Sequence, residues 1–236
     1  MPRRVLFVLP IVGLLMGACS DDSAESPTTR TQATVDPTTS EATKRETTTP
    51  SDAASPDPVD ELLDPSLLGP RFRLAAAPVD AETADSTLAK LCPVVARPRR
   101  LNEAVQRERV VLRGRAPLPT VSQDLSVYAE VNAAASVFNS LASAAMLRCL
   151  PKLVADSGLV LDDVRVTRVS IDDVGDAAAA MRLRGTSIAG GLASPIDVEL
   201  IVVTRGRLVH VVVMTSSDLF PLGDDRRGAI VAALAS

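Results

Sequence analysis

Nucleophilic or acid–base catalysis needs a base held beside the reacting group, and the chain offers a single histidine, His210, for that task. His210 sits in an apolar alternation, with Leu208, Val212 and Met214 on its own side and Val209, Val211 and Val213 on the other. That pattern describes a strand histidine in a core or a cleft wall. Gly185-Thr186-Ser187-Ile188-Ala189 misses the G-x-S-x-G nucleophile elbow at its last position, and Gly190-Gly191 and Pro195 follow where a helix would have to begin. The segment reads as a hairpin loop. The acid pairs Asp162-Asp163, Asp172-Asp173 and Asp224-Asp225 fall at the ends of predicted elements, where aspartates cap helices and end strands, and none has EF-hand spacing. No G-x-x-x-x-G-K-[ST] loop is present to cradle phosphates. The expectation is a protein that is not an enzyme, with no catalytic residue, metal or cofactor; a hydrolase built on an acid pair is the remaining enzymatic alternative.

The more informative charge pattern is basic. Arg107, Arg109, Arg113 and Arg115 are all odd-numbered within one predicted strand and so project from one face, with Val110, Leu112 and Gly114 on the other. Arg97, Arg99 and Arg100 lie just upstream. One reading is a basic strip that meets an anionic partner: acidic phospholipid headgroups, a phosphorylated glycolipid or an anionic wall polymer. The other is a solvated face paired with scattered acids.

The elements that must position these residues follow from periodicity. A short helix over 83–91 precedes strands over 107–115 and 121–129; in the second, Leu125, Val127 and Ala129 alternate with Ser126, Tyr128 and Glu130. A helix is expected over 133–150, with Asn132 as N-cap and Pro151 marking its end; Ala134, Phe138, Leu141, Ala145 and Cys149 form its buried face. Strands over 163–171, 177–186, 195–204 and 207–215 come next, the last two joined at Arg205-Gly206, and a helix over 225–234 begins near Asp224. The order β-β-α-β-β-β-β-α predicts an α+β domain, an antiparallel sheet of about five to six strands with helices packed on one face.

The N-terminus carries an address. Arg3 and Arg4 precede an apolar run over 5–15 interrupted by Pro10, the layout of a secretory signal over 1–18. The run is shorter than the roughly 17 to 25 residues of a membrane-spanning helix. Met16-Gly17-Ala18-Cys19 resembles the bacterial lipobox, with Met in place of the usual Leu. That resemblance implies a diacylglycerol thioether on Cys19, with fatty acyl chains such as palmitate holding the mature protein on the extracytoplasmic face of the cell membrane. After Cys19, residues 20–65 hold sixteen Ser or Thr and six Pro among forty-six, with eleven acids against three bases. Residues 19–65 are therefore expected to form a disordered acidic tether, bare or O-glycosylated at clusters such as Thr47-Thr48-Thr49-Pro50, spanning about 35–40 Å as a flexible coil. Nucleic acid is excluded as a partner at that address.

Residues 66–236 are long enough for one core. Aromatics make up only 2% of the chain against 46% hydrophobic residues, with no Trp and one Tyr, so Val, Ala and Leu must fill it. High Ala and Arg content points to a GC-rich genome such as an actinobacterium's. Two cysteines remain in an oxidising compartment, Cys92 and Cys149, and are expected to form one disulfide, two buried thiols being the alternative.

Leu91-Cys92-Pro93, a strand ending near Tyr128-Ala129-Glu130, an Ala-rich helix carrying Phe138 and ending at Cys149, Asp173-Val174-Gly175-Asp176 before a strand, and Val203-Thr204-Arg205-Gly206 at a hairpin together resemble actinobacterial cell-envelope lipoproteins. More specifically, they resemble the extracellular sensor-like domain of PknH-type serine/threonine kinases, which also occurs alone on lipid-anchored proteins. The resemblance covers most of residues 62–236 and departs from the kinase domain in its single cysteine pair and its lack of a Trp near the helix end. A lipoprotein of PsbP-like fold is a second resemblance with similar architecture. The resemblance to the sensor-like domain implies a ligand-binding or sensor-like role without chemistry of its own and does not make the chain a kinase. Two alternatives stay open: a carrier of lipid or glycolipid, with the two-sided apolar strands 195–204 and 207–215 as one wall of a cavity, and a structural module that binds an envelope protein.

Overall fold

A computed structural model describes residues 58–75, 81–114, 118–171, 174–189 and 192–235. Two 3-10 turns, Pro58–Glu61 and Pro65–Leu68, lead to β1 (Arg73–Leu74), α1 (Ala81–Leu91) and α2 (Pro93–Leu101). The strands β2 (Ala104–Arg113) and β3 (Thr120–Tyr128) follow, then α3 (Val131–Leu141) and α4 (Ala144–Asp156). The chain continues through β4 (Asp162–Val169), β5 (Ala177–Ala189), β6 (Leu192–Arg205) and β7 (Leu208–Ser217) to α5 (Asp224–Ala235). All strands join one antiparallel sheet in the order β1-β2-β3-β7-β6-β5-β4.

The α+β class is as expected, and the sheet has seven strands rather than five to six. The additional strand, β1, is two residues long and leaves no alternation to read. The helix expected over 133–150 is two helices, because Ser143 caps a new one: its hydroxyl accepts from Met146 N at 3.4 Å. Pro151 lies inside α4 instead of ending it. The missing N–H costs a helical bond, but Met146, Cys149, Leu150 and Val154 bury one face along the whole helix and hold it in register. Glu130, not Asn132, is the N-cap of α3 and makes no side-chain cap bond. At the other cysteine, Pro93 starts α2 at the position where proline's lost N–H is unused, so Cys92 divides two helices where only one was expected.

The sheet is packed on both faces. Helices α1 to α4 cover Met181, Leu183, Val198, Leu200, Val202 and Val209. Helix α5 and the 3-10 turns cover Ala180, Ile201, Val203, Val212 and Met214 on the opposite face. The continuous apolar run of β6 is thus that of a central strand buried on both sides. Each apolar face of 195–204 and 207–215 rests on this chain's own helices or turns. The folded unit also begins earlier than residue 66. Leu63 is buried in the second core, and its N–H donates to Gln123 Oε1 at 2.7 Å. Among the described residues no single helix is long and apolar enough to cross a membrane; the bent pair α3 and α4 matches by length and composition, and its apolar residues form the first core.

At the β6–β7 hairpin Arg205 pairs with Leu208, so the two-residue turn is Gly206-Arg207, one position beyond the expected Arg205-Gly206. Gly206 N donates to Asp176 Oδ2 at 2.6 Å, and Asp176 follows Gly175, which has φ +59°. A Cβ on Gly175 would lie 2.6 Å from the Thr204 carbonyl oxygen and 2.7 Å from Val203 Cγ1. Gly175→Ala is therefore expected to destabilise the domain by about 2 kcal/mol or more, through strain at a left-handed residue together with the clash. Guanidinium unfolding of the two proteins measures it.

Candidate functional site

On the α5 face, β5, β6 and the segment leading from β7 into α5 line a cavity of about 300 Å³. The β5–β6 register sets Arg182 opposite Glu199 and Arg184 opposite Asp197, so four charged side chains stand on one patch of sheet. From across the cavity α5 contributes Arg227. Glu199 is only 5% exposed. Arg182 Nη2 donates to its Oε2 at 2.8 Å; Arg227 Nε donates to both oxygens at 2.9 and 3.0 Å, and Arg227 Nη2 to Oε1 at 2.6 Å. Burial alone would push the Glu199 carboxyl up, but the hydrogen bonds and charges of Arg227 and Arg182 outweigh it and hold the group below the usual carboxylate range. The same contact with Glu199 raises Arg227.

Nearer solvent, Arg184 Nε meets both Asp197 oxygens at 3.1 and 3.2 Å, and Arg182 Nε stands 3.7 Å from Asp197 Oδ1. The Arg184 side chain is 64% exposed. Ser216, directly opposite Asp197 on β7, joins the same face of the wall. His210 is six residues from Ser216 along β7, about 20 Å away for an extended strand. The arrangement sets fixed charges of both signs and a serine around a volume of small-molecule size.

His210 lies in the core, 1% exposed, as its alternation implied. Gln123 Nε2 stands 3.1 Å from His210 Nδ1; the amide nitrogen can only donate, so the neutral ring carries its proton on Nε2. The same amide holds the start of the folded unit, donating to the Glu61 carbonyl at 3.1 Å while its oxygen accepts from Leu63 N. Burial, with the charge of Arg205 second, lowers the His210 pKa from 6.5 to about 4. An unfolded chain therefore takes up this proton first. Stability from His210 is complete above pH 6.5 and falls as the pH drops toward 4, by up to about 3 kcal/mol. Urea midpoints measured across that window are expected to fall more steeply for the native chain than for His210→Leu; equal slopes would contradict the assignment.

Of the expected strip, Arg107, Arg109 and Arg113 are brought to one face but are not equivalent. Arg107 pairs with Asp85 of α1, and Arg99 Nη2 lies 3.2 Å from the same carboxylate. Arg109 pairs with Asp124 of β3. Arg113 has neither partner, and Arg115 lies outside the described residues, as does Cys19. Cys92 and Cys149 form a disulfide with Cα atoms 5.9 Å apart, joining the α1–α2 junction to α4 within the first core. Ser187 is in β5, paired with Ser194 of β6, so the elbow-like segment is strand and not hairpin loop. Asp162 and Asp163 begin β4, Asp224 and Asp225 form the first turn of α5, and Asp172 and Asp173 lie outside the described residues. Among the described residues no group of three or more His, Cys, Asp or Glu could hold a metal ion.

Sequence reasoning missed Glu199, Asp197, Arg182, Arg184 and Arg227. The signal for the first four is an R-x-R in one strand and a D-x-E in the next, charges at alternate positions in otherwise apolar runs, and Arg227 has no such signal. No family model matches the chain, and no curated protein matches it. The fold is similar to the crystal structure of the extracellular domain of PknH from Mycobacterium tuberculosis, with 11% sequence identity, 75% of this chain and 92% of that one covered, and a TM-score of 0.41.

Proposed function

We propose that the chain is a lipid-anchored extracytoplasmic protein whose folded domain binds a small charged solute of the cell envelope and acts as a sensor-like module without catalysis. The observation that carries the binding role is the cavity whose floor is the buried Glu199 carboxylate clamped by Arg182 and Arg227, with Arg184 and Asp197 at its mouth. Every guanidinium there is oriented by a carboxylate before any ligand arrives, so recognition requires little ordering on binding. The signal-like N-terminus, the lipobox-like Met16-Gly17-Ala18-Cys19 and a disulfide-bonded core favour the compartment.

The test is thermal unfolding of the full chain against a panel of envelope solutes, such as amino acids, peptidoglycan fragments and polyol phosphates, alongside Arg184→Gln and Asp197→Asn. A ligand that stabilises the native chain and loses that effect in both variants supports the reading. Stabilisation by none of them, or equal stabilisation of the variants, counts against it. Recovery of a bound lipid by organic extraction, unaffected by either substitution, would instead support the carrier.

A further inference from the structure

The basic strip splits in the fold, and its uncovered end has a chemistry of its own. Arg107 and Arg109 face carboxylates, whereas Arg113 forms no ion pair among the described residues and its Nε is buried without a hydrogen-bond partner. The residue directly across from Arg113 on β1 is Arg73, which is exposed. Directly opposed residues share a face with their Cα atoms about 5 Å apart, and like charges so placed destabilise a sheet. On the other flank of Arg113 the register sets Thr120, and beyond it Thr215, both half-buried. Two guanidinium groups and two hydroxyls thus stand in one row across four strands, with no carboxylate of the row among them.

We propose that Arg73 and Arg113, assisted by the Thr120 hydroxyl, bind a phosphate-type oxyanion. A tetrahedral dianion or diester takes forked N–H donors from two guanidiniums at once, relieves their mutual repulsion and gives the buried Nε its acceptor. The site lies on the sheet face opposite the cavity and does not depend on it. Its ligand is either a free phosphate or phosphomonoester, or the phosphodiester of a lipid headgroup presented by the membrane that the tether reaches.

The experiment is calorimetric titration of the full chain in neutral detergent micelles with inorganic phosphate, with glycerol phosphate, and with micelles doped with phosphatidylglycerol. At least one probe is expected to bind. Arg113→Gln and Arg73→Gln should each weaken that binding by about ten-fold or more, and Arg113→Lys, which keeps the charge without the fork, by less. Arg97→Gln removes the same charge from an exposed position on α2 and should change it by no more than about two-fold. A response to phosphatidylglycerol alone identifies a headgroup site; a response to the soluble phosphates identifies a solute site. Silence from all three probes, or equal losses in Arg97→Gln and the two test variants, overturns the proposal. Arg73 is on the surface, so its variant remains informative if Arg113→Gln folds poorly, and Arg184→Gln separates this site from the cavity.

Discussion

Replacing Cys92 and Cys149 together by alanine is expected to lower the stability of the domain by about 4 kcal/mol, the chain-entropy value for a bridge between residues 57 apart. For a domain whose net stability is about 5–15 kcal/mol, that loss is a large share of the whole. The position of the bridge explains why other contacts would not replace it. Helices α1 and α2 are short, and they pack on each other and on α3 and α4, burying few large side chains, among them Leu88 and Val95. The disulfide fixes their junction to α4, which packs directly on the sheet. The double variant should unfold at lower guanidinium concentration with a steeper dependence, because its unfolded chain exposes more surface. Dithiothreitol should reproduce both changes in the native chain and leave the variant unaffected. A native chain indifferent to reductant would show that the two cysteines are not bridged in the purified protein.

The second large effect is expected at Arg227. Arg227→Met removes three of the four hydrogen bonds that hold the buried Glu199 carboxylate and leaves Arg182 as its remaining cation. Stranding a buried charge in this way costs about 3 kcal/mol or more. The mechanism is separable from lost packing. Burial then dominates at Glu199, so its pKa rises, and the loss of stability should shrink as the pH is lowered and the carboxyl becomes protonated. Adding Glu199→Gln to Arg227→Met should return part of the loss, giving a coupling energy between the two positions. If the double variant is as unstable as the sum of the single ones, the clamp on Glu199 is not what Arg227 contributes. Solute binding in the cavity should also fall, since the floor would no longer be fixed.

What could be read from the sequence is what local periodicity encodes. The strands from β2 onward, the α+β class, the core position of His210 and the buried face carrying Cys149 all rest on alternation or helical spacing within single elements. The failures share a different cause. The break at Ser143 and the persistence of α4 through Pro151 were settled by capping and tertiary packing, which override the ordinary meaning of serine and proline within a helix. Strand β1 exists only because β2 offers it an edge. Pro58 to Leu68 is composed like a linker, yet Leu63 and Leu68 reach the core.

The cavity was legible in principle. A two-residue turn at Gly190-Gly191 in the sequence sets Arg182 against Glu199 and Arg184 against Asp197, and the observed pairing of Ala189 with Leu192 has that register. Arg227 could not have been found that way, because its meeting with Glu199 depends on α5 crossing to the second face of the sheet. The same holds for Arg73, whose place beside Arg113 follows from the register of a strand too short to see. Conversely, Arg107, Arg109 and Arg113 do share a face, but periodicity cannot say which charges find partners. Asp85 and Asp124 approach from a helix and from a neighbouring strand.

The central claim joins an anchor on Cys19 to a domain that holds a ligand, and native mass spectrometry of the chain purified in mild detergent from its own cell envelope reads both at once. The expected result is a mature chain beginning at an acylated Cys19, carrying a small non-covalent ligand that is absent from Arg184→Gln. A chain that retains its first eighteen residues without acylation, or an acylated chain whose bound mass is unchanged by that substitution, would contradict the account.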